Sequence, residues 1–396
     1  MMNKNQKIKL KHTINYSEQF IDKADIMSVK NILTSKSISQ GPATTIFEKK
    51  LKNYFGSKYV SCVSSGAAAL HLIGKALKWK SGDKIITTPN TFVATANAIC
   101  YAGADPLFVD IDQKTYNLDL NKLEKEIKKT NKYKKKIKAI IAVDYAGNPC
   151  DWPDLRYIGN KNNLTLINDN CHALGSKINN DSQYAIKYAD IVSQSFQTLK
   201  NITTGEGGAV ITNNFDIHKK INILRTHGLI KNSQINKFWD SEMIEIGYNY
   251  RITDFQSALG TSQLKKIISF IKKRRKIAAM YDDFFSSLNQ FIIPKVKKNF
   301  FHAYHIYPLQ INFHDLKINK NEMLNYFLKN KFRLQVHYKP IHLYKYYKKK
   351  YSYKFGDFPI AEKFYENEIS LPVHFNLKKR EQNYFIYLFK KFLRIV

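Results

Sequence analysis

The sequence predicts an α/β protein with a mostly parallel central sheet in a large first domain, followed by a smaller C-terminal α/β domain. Three observations carry that expectation. Up to about residue 215, short apolar runs alternate with amphipathic stretches, the pattern of strands joined by crossover helices. Long helical material then intervenes. From His302 the strand and helix patterns resume on a smaller scale. A chain of 396 residues exceeds the usual single domain, and the division is placed at 1–260 and 261–396.

The elements follow in order. A helix is expected from Asp22, with Ile26, Val29, Ile32 and Leu33 on one face, and another around Phe47, Leu51 and Phe55. SSGAAALHLIGKAL reads as a helix opened by small residues, KIITTP as a strand and TFVATANAICYAG as a helix. PLFVDID, IKAIIAVDY, LTLIND, DIVSQSF and AVITN read as strands. DIHKKINILRTHG reads as a helix stopped by Gly228, and TDFQSALGTSQLKKIISFIKKRRKIAAMYDDFF as long helical material capped by Thr253. AYHIYPLQI (strand), KNEMLNYFLKN (helix), RLQVHY (strand) and QNYFIYLFKKFL (helix) complete the smaller domain.

Composition narrows the function classes. Lys+Arg number 64 against 32 Asp+Glu, a net charge of +32. The lysines are scattered and accompany abundant Asn, Ile, Tyr and Phe, all residues of A/T-rich codons, so genome composition explains them. A nucleic-acid binder would carry zinc-ligand spacing, basic heptads or an aromatic RNA-binding strand, and these are lacking. The dense patch KYYKKKYSYK, 345–354, reads as a solvated loop able to attract a phosphorylated ligand. No run approaches the ~20 apolar residues of a membrane span, and the N-terminal stretch has no apolar signal core, so a cytoplasmic protein is expected. Cys62, Cys100, Cys150 and Cys171 show neither CxxC nor Cys/His spacing, so free thiols and no metal are expected.

Four features point to one kind of site. Asp169 ends the strand LTLIND, where open α/β sheets place ligand groups, and a buried carboxylate there suits a protonated ring nitrogen. SSGAAAL opens a helix with small residues, letting backbone amides approach a phosphate. Phe92, after TTPNT, offers a face to a flat ring. Lys200 ends a strand before a Thr-Thr-Gly-Glu-Gly-Gly turn, and a desolvated lysine amine can form a Schiff base. Taken singly, each has an ordinary explanation: a helix cap, close packing, core or a surface charge. Taken together and in this order, they are the parts that hold pyridoxal phosphate.

SSGAAAL, TPNTFVATANA, DNCHALGS, SFQTLKNITTGEGGAVITN, RTHG and GYNYRITDFQSALGTSQL stand in the order found in the DegT/StrS-type sugar-nucleotide aminotransferases. The chain resembles that family from INYSEQF to ISLPVHFNL. The resemblance implies the aspartate-aminotransferase-like fold (fold type I), pyridoxal phosphate, L-glutamate as amino donor, a nucleotide-linked keto sugar as acceptor, and a homodimer with shared sites. VDYAG, VHYKPIH and EISLPVH are similar in particular to the pseudaminic acid branch, which implies a UDP-linked 4-keto-6-deoxy-N-acetyl sugar. Another UDP- or dTDP-linked keto sugar is the alternative.

By the same resemblance, Lys200 is the Schiff-base lysine, Asp169 pairs with the pyridine nitrogen, His172 lies beside the ring and Phe92 stacks on it. Gly66, Ala67, Ala68 and Ser195 surround the phosphate, with Asn249 reaching it from the neighbouring subunit. Tyr16, Lys36, Ser37, Ile38, Ser39, His337, Tyr338 and Lys339 contact substrate. Two positions depart from the pattern: Ala67 stands where Thr is common, and Gln197 where His is usual. A dehydratase branch carries His in place of the lysine, and a non-catalytic relative would not need it, so Lys200 argues against both.

Overall fold

A computed structural model describes residues 10–132, 136–231 and 240–394. Seven strands form the central sheet: β1 (Tyr59–Val63), β2 (Asp83–Thr87), β3 (Asp105–Phe108), β4 (Lys136–Val143), β5 (Thr165–Asp169), β6 (Ile191–Ser195) and β7 (Gly208–Thr212). Across the sheet the order is β1-β7-β6-β5-β4-β2-β3. Adjacent strands are parallel except where β7 pairs with β1 and β6. Apolar side chains occupy both faces of β4 and β7, as they must where helices cover a sheet on two sides. Val143 pairs with Asp169, and Asp169 with Ser193, so the C-terminal ends of β4, β5 and β6 lie level. Ligand groups gather at that edge in open α/β sheets.

The helix Gly66–Ala76 is apolar on nearly every side and is buried accordingly. Helix Pro42–Phe55 starts with Pro at its first turn and ends at Gly56, whose φ of 64° lets its amide close on Lys52. Phe47, Leu51 and Phe55 fill the core from this helix.

A second core surrounds a smaller antiparallel sheet of β8 (Phe291–Ile292), β9 (Tyr307–Ile311) and β10 (Glu368–Leu371). Helices Lys320–Lys329 and Lys379–Phe392 supply Phe327, Phe385 and Phe389 to it. Leu10 and Ile14 belong to the same core, and Ile14 pairs with Phe332 in parallel. Helix Ile267–Phe285 serves both cores. Ile267, Phe270 and Ile271 pack into the first, and Ile277, Ala278, Tyr281 and Phe285 into the second. Among the described residues, no helix is long and apolar enough to cross a membrane.

Several elements differ from their sequence pattern. Helix Lys23–Leu33 has Asp22 as cap, but Ile26 is 61% and Leu33 57% exposed while Val29 and Ile32 are half-buried, so only part of its apolar stripe faces inward. What it buries is Asp25, held by Lys266 at 2.6 Å and Gln263 at 2.7 Å. The helix before Gly228 ends at Leu224, because the amides of Tyr248 and Tyr250 take the carbonyls of Leu224 and Arg225. Of RLQVHY only Arg333 lies in a strand, Phe332–Arg333, before the segment turns into the site described below. The long helical stretch after Thr253 breaks between Leu264 and Ile267. KYYKKKYSYK is not a loop: Lys345–Tyr351 is a short helix. Tyr347 and Tyr351 stack one turn apart and bond Asn97 and Asp105, which fastens that turn to the protein.

Candidate active site

A cavity of about 630 Å³ opens at the C-terminal ends of β4, β5 and β6. Its floor comes from consecutive strand ends. Asp169 closes β5, with Oδ2 accepting from Thr95 Oγ1 at 2.8 Å and Oδ1 from the Cys171 amide at 3.3 Å. Thr95 in turn meets Thr91 at 2.9 Å. Ser195 closes β6, and Lys200 follows five residues on. The turn between them is tied by Gln197, whose side chain accepts from the Leu199 amide at 3.0 Å and whose carbonyl accepts from the Lys200 amide at 2.9 Å. The residue standing where His is usual is therefore the one that fixes the lysine's loop.

Burial lowers the Lys200 pKa from its ordinary value, with Cys171 and Asp169 opposing the shift. A larger share of the amine is thereby unprotonated near neutral pH. Burial, with the nearby Lys200 and His337, also pulls His172 well below the usual histidine range. Its Nδ1 accepts from the Ala146 amide at 3.3 Å, so the ring's single proton sits on Nε2, 3.2 Å from the Tyr338 hydroxyl.

The anion end of the cavity is the start of helix Gly66–Ala76. Ser65 caps it and spends its Oγ on the Ala68 amide at 3.0 Å. The amides of Gly66 and Ala67, at the first two helical positions, have no intrahelical acceptor and line the cavity. A Cβ on Gly66 would stand 2.8 Å from the Ser195 Cβ, so only glycine lets these two segments approach.

Lys200, Asp169, His172, Phe92, Gly66, Ala67, Ser195, Tyr16, His337 and Tyr338 all line this one cavity. Ala68 lies just behind it with its amide already used. Lys36, Ser37, Ile38 and Ser39 are exposed, outside the cavity lining, with Ser39 bridged to Thr253. Lys339 is exposed over the Tyr344 ring, and Asn249 is exposed and bridged to Thr226. The lining also holds Thr95, Cys171, Glu206 and His305, which the sequence reading did not single out. Thr95 lies within TPNTFVATANA and Cys171 within DNCHALGS, so the motifs contained them. Nothing in AYHIYPLQI marked His305, whose ring meets His172 at 4.5 Å.

The model of the DegT/DnrJ/EryC1/StrS aminotransferase family matches residues 19–389. The chain belongs to that family. It is an aminotransferase with the aspartate-aminotransferase-like α/β fold. It is 38% identical over 370 residues to the UDP-4-amino-4,6-dideoxy-N-acetyl-β-L-altrosamine transaminase of Campylobacter jejuni, covering 92% of this chain and 94% of that one. Among solved structures it is similar to Helicobacter pylori PseC, an aminotransferase involved in the biosynthesis of pseudoaminic acid. That match has a TM-score of 0.89 at 34% identity, over 97% of this chain and 100% of the other. The PLP-form of the sugar aminotransferase Spr1654 from Streptococcus pneumoniae gives a TM-score of 0.87 at 29% identity, over 97% and 99% of the two chains.

Proposed function

We propose that this aminotransferase uses pyridoxal phosphate to move the amino group of L-glutamate to C4 of a UDP-linked 4-keto-6-deoxy-N-acetylhexosamine. The product is UDP-4-amino-4,6-dideoxy-N-acetyl-β-L-altrosamine. The observation that carries the proposal is Lys200, a desolvated amine in the same cavity as the strand-end carboxylate Asp169 and two free helix-start amides. Altrosamine transaminases at 38% and 36% identity over most of their length support the choice of sugar.

The residues fit the cofactor. Gly66 and Ala67 amides with the Ser195 hydroxyl would hold its phosphate, aided by the helix dipole. Ala67 brings no hydroxyl, so the backbone carries this contact. Phe92 would cover one ring face, and Asp169 would keep a proton on the ring nitrogen. When bound, pyridoxal phosphate supplies a carbonyl for the lysine and an electron sink for a carbanion at the donor's α-carbon. Lys200 Nζ would then be the base that takes the donor's α-proton and the acid that delivers it to the cofactor carbon that carried the carbonyl. His172, neutral and bonded on both nitrogens, gives its Nε2–H to the Tyr338 hydroxyl at the cavity wall and so orients that phenol. Tyr16, His337 and Tyr338 receive the sugar, with the exposed Lys36–Ser39 segment and Lys339 free to meet its nucleotide end. In a homodimer, Asn249 serves the neighbouring subunit's phosphate.

The test is the visible spectrum of the protein with pyridoxal phosphate before and after L-glutamate, followed by UDP- and dTDP-linked 4-keto sugars as acceptors. An absorption band near ~420 nm that bleaches with glutamate and returns with the UDP sugar is expected. Return with the dTDP sugar alone would move the assignment to another keto sugar. A protein that never takes up colour would end the reading.

A further inference from the structure

The cavity wall at His337 is backed by a buried polar chain that the transfer chemistry above does not use. Glu368, at the start of β10, is fully buried, as is Ser370 two residues on. Glu368 Oε2 accepts from the His337 amide at 2.8 Å, and Oε1 accepts from the Ser370 hydroxyl. Ser370 Oγ stands 2.7 Å from His337 Nδ1. A hydroxyl that gives its proton to a carboxylate can only accept at its oxygen from the ring. His337 Nδ1 must then carry the ring proton. Among the described residues its Nε2 has no hydrogen-bond partner, and the ring lies on the cavity wall against Tyr16, centroids 4.7 Å apart.

From this geometry we infer that Glu368 and Ser370 are positioning residues: while the Glu368 carboxyl is ionised they hold His337 in the Nδ1–H tautomer, so that Nε2 is a hydrogen-bond acceptor for a hydroxyl or amide N–H of the sugar. The inference rests on the sugar-aminotransferase reading for the identity of that donor. The tautomer itself does not depend on that reading. At a buried ring such as His337 this choice is decisive, because a fixed acceptor welcomes a donor and leaves a competing acceptor unpaired.

The ionisable groups around Glu368 are Lys320, Tyr116, Tyr145 and Tyr338. Burial raises all three tyrosines, so they stay neutral, and it lowers Lys320 to about 8, so this amine titrates in the same range as Glu368, while Lys200 faces the His337 ring. Burial raises Glu368 to about 8, opposed by Ser370, the His337 amide and Lys320. As pH falls through that value the carboxyl takes up a proton, donates to Ser370 and turns the hydroxyl toward Nδ1. The ring then holds its proton on Nε2 and loses the acceptor.

The experiment is nitrogen NMR of the ¹⁵N-histidine-labelled holoenzyme between pH 6.5 and 9.5, with His337→Gln to assign the ring, alongside acceptor kinetics. Expected are Nδ1–H above pH 8, conversion toward Nε2–H below it, and Nε2–H throughout in Ser370→Ala. Ser370→Thr, which keeps the hydroxyl, restores the wild-type profile. In Ser370→Ala the KM for the keto sugar rises about tenfold, the ordinary worth of one such hydrogen bond, while the glutamate half-reaction is unchanged. An Nε2–H ring in the wild type at pH 9.5, an unchanged tautomer in Ser370→Ala, or a shifted tautomer with unchanged sugar KM overturns the inference. If glutamate itself fails to react, the functional reading falls and the tautomer result stands apart from it.

Discussion

The floor and the far wall of the cavity are held by different means. On the floor, Asp169 and Ser195 end neighbouring strands whose register is fixed by a ladder of backbone bonds, and Lys200 follows on a turn closed within a few residues. On the wall, His305 and the adjacent pair His337 and Tyr338 come from two separate irregular segments. His337 is placed by Glu368 and Ser370, and Tyr145 donates its hydroxyl to the His337 carbonyl. Backbone register places the floor and side-chain partners place the wall. Floor substitutions should therefore strike chemistry with little cost in stability, and wall substitutions should alter recognition and pH response.

Lys200→Ala tests the floor most severely. Transfer should fall by about 10⁴-fold, since both the tether and the proton carrier are removed, while the thermal midpoint changes little. A large loss of stability would place Lys200 in the framework and break the contrast. Asp169→Asn should lower the glutamate half-reaction on the order of 100-fold, because a neutral amide no longer favours a protonated ring nitrogen. Thr95→Val keeps shape and removes the hydroxyl bonded to Asp169. A hydrogen bond to a charged group is worth about 1.5–3 kcal/mol, so roughly tenfold slower transfer is expected in single-turnover measurements.

The wall and its surroundings should respond more weakly, and to acid. His302, His337 and His374 are each pulled down to about 3 by burial. The folded protein leaves them neutral between about pH 3 and 6.5, whereas the unfolded chain protonates them there, so stability falls as pH drops through that window. Denaturant midpoints measured from pH 7 to 4 should decline, and His302→Phe should flatten part of the slope. The smallest effect belongs outside both regions. Tyr347→Phe removes the hydroxyl bonded to Asn97 and should cost about 1 kcal/mol in thermal unfolding.

The same division explains what could be read from the sequence. Asp169, Lys200 and the Gly66 helix start were legible because each sits at a strand or helix end, and such ends announce themselves in the local pattern. Thr95 was hidden in an ordinary helix, since its importance comes from a strand that is distant in sequence. Glu368 and Ser370 alternate within EISLPVH in a way that reads only as strand. The stripe of Ile26, Val29, Ile32 and Leu33 predicted a helix correctly but not the exposure of Ile26 and Leu33, because periodicity reports that a face is apolar and not what covers it. The 345–354 segment looked like solvated charge because its lysines outnumber the two tyrosines that anchor it.

Helix Ile267–Phe285 has a mechanical consequence. Its 19 residues span about 28 Å, and its first turns complete one core while its last turns complete the other. The N-terminal residues Leu10 and Ile14 cross in the opposite sense and finish the core that the far end of the chain builds. Neither core can close without chain that belongs, by sequence, mostly to the other. Such interlocking couples their unfolding, so calorimetry should record a single cooperative melt, and fragments separated after Leu264 should be soluble only when made together.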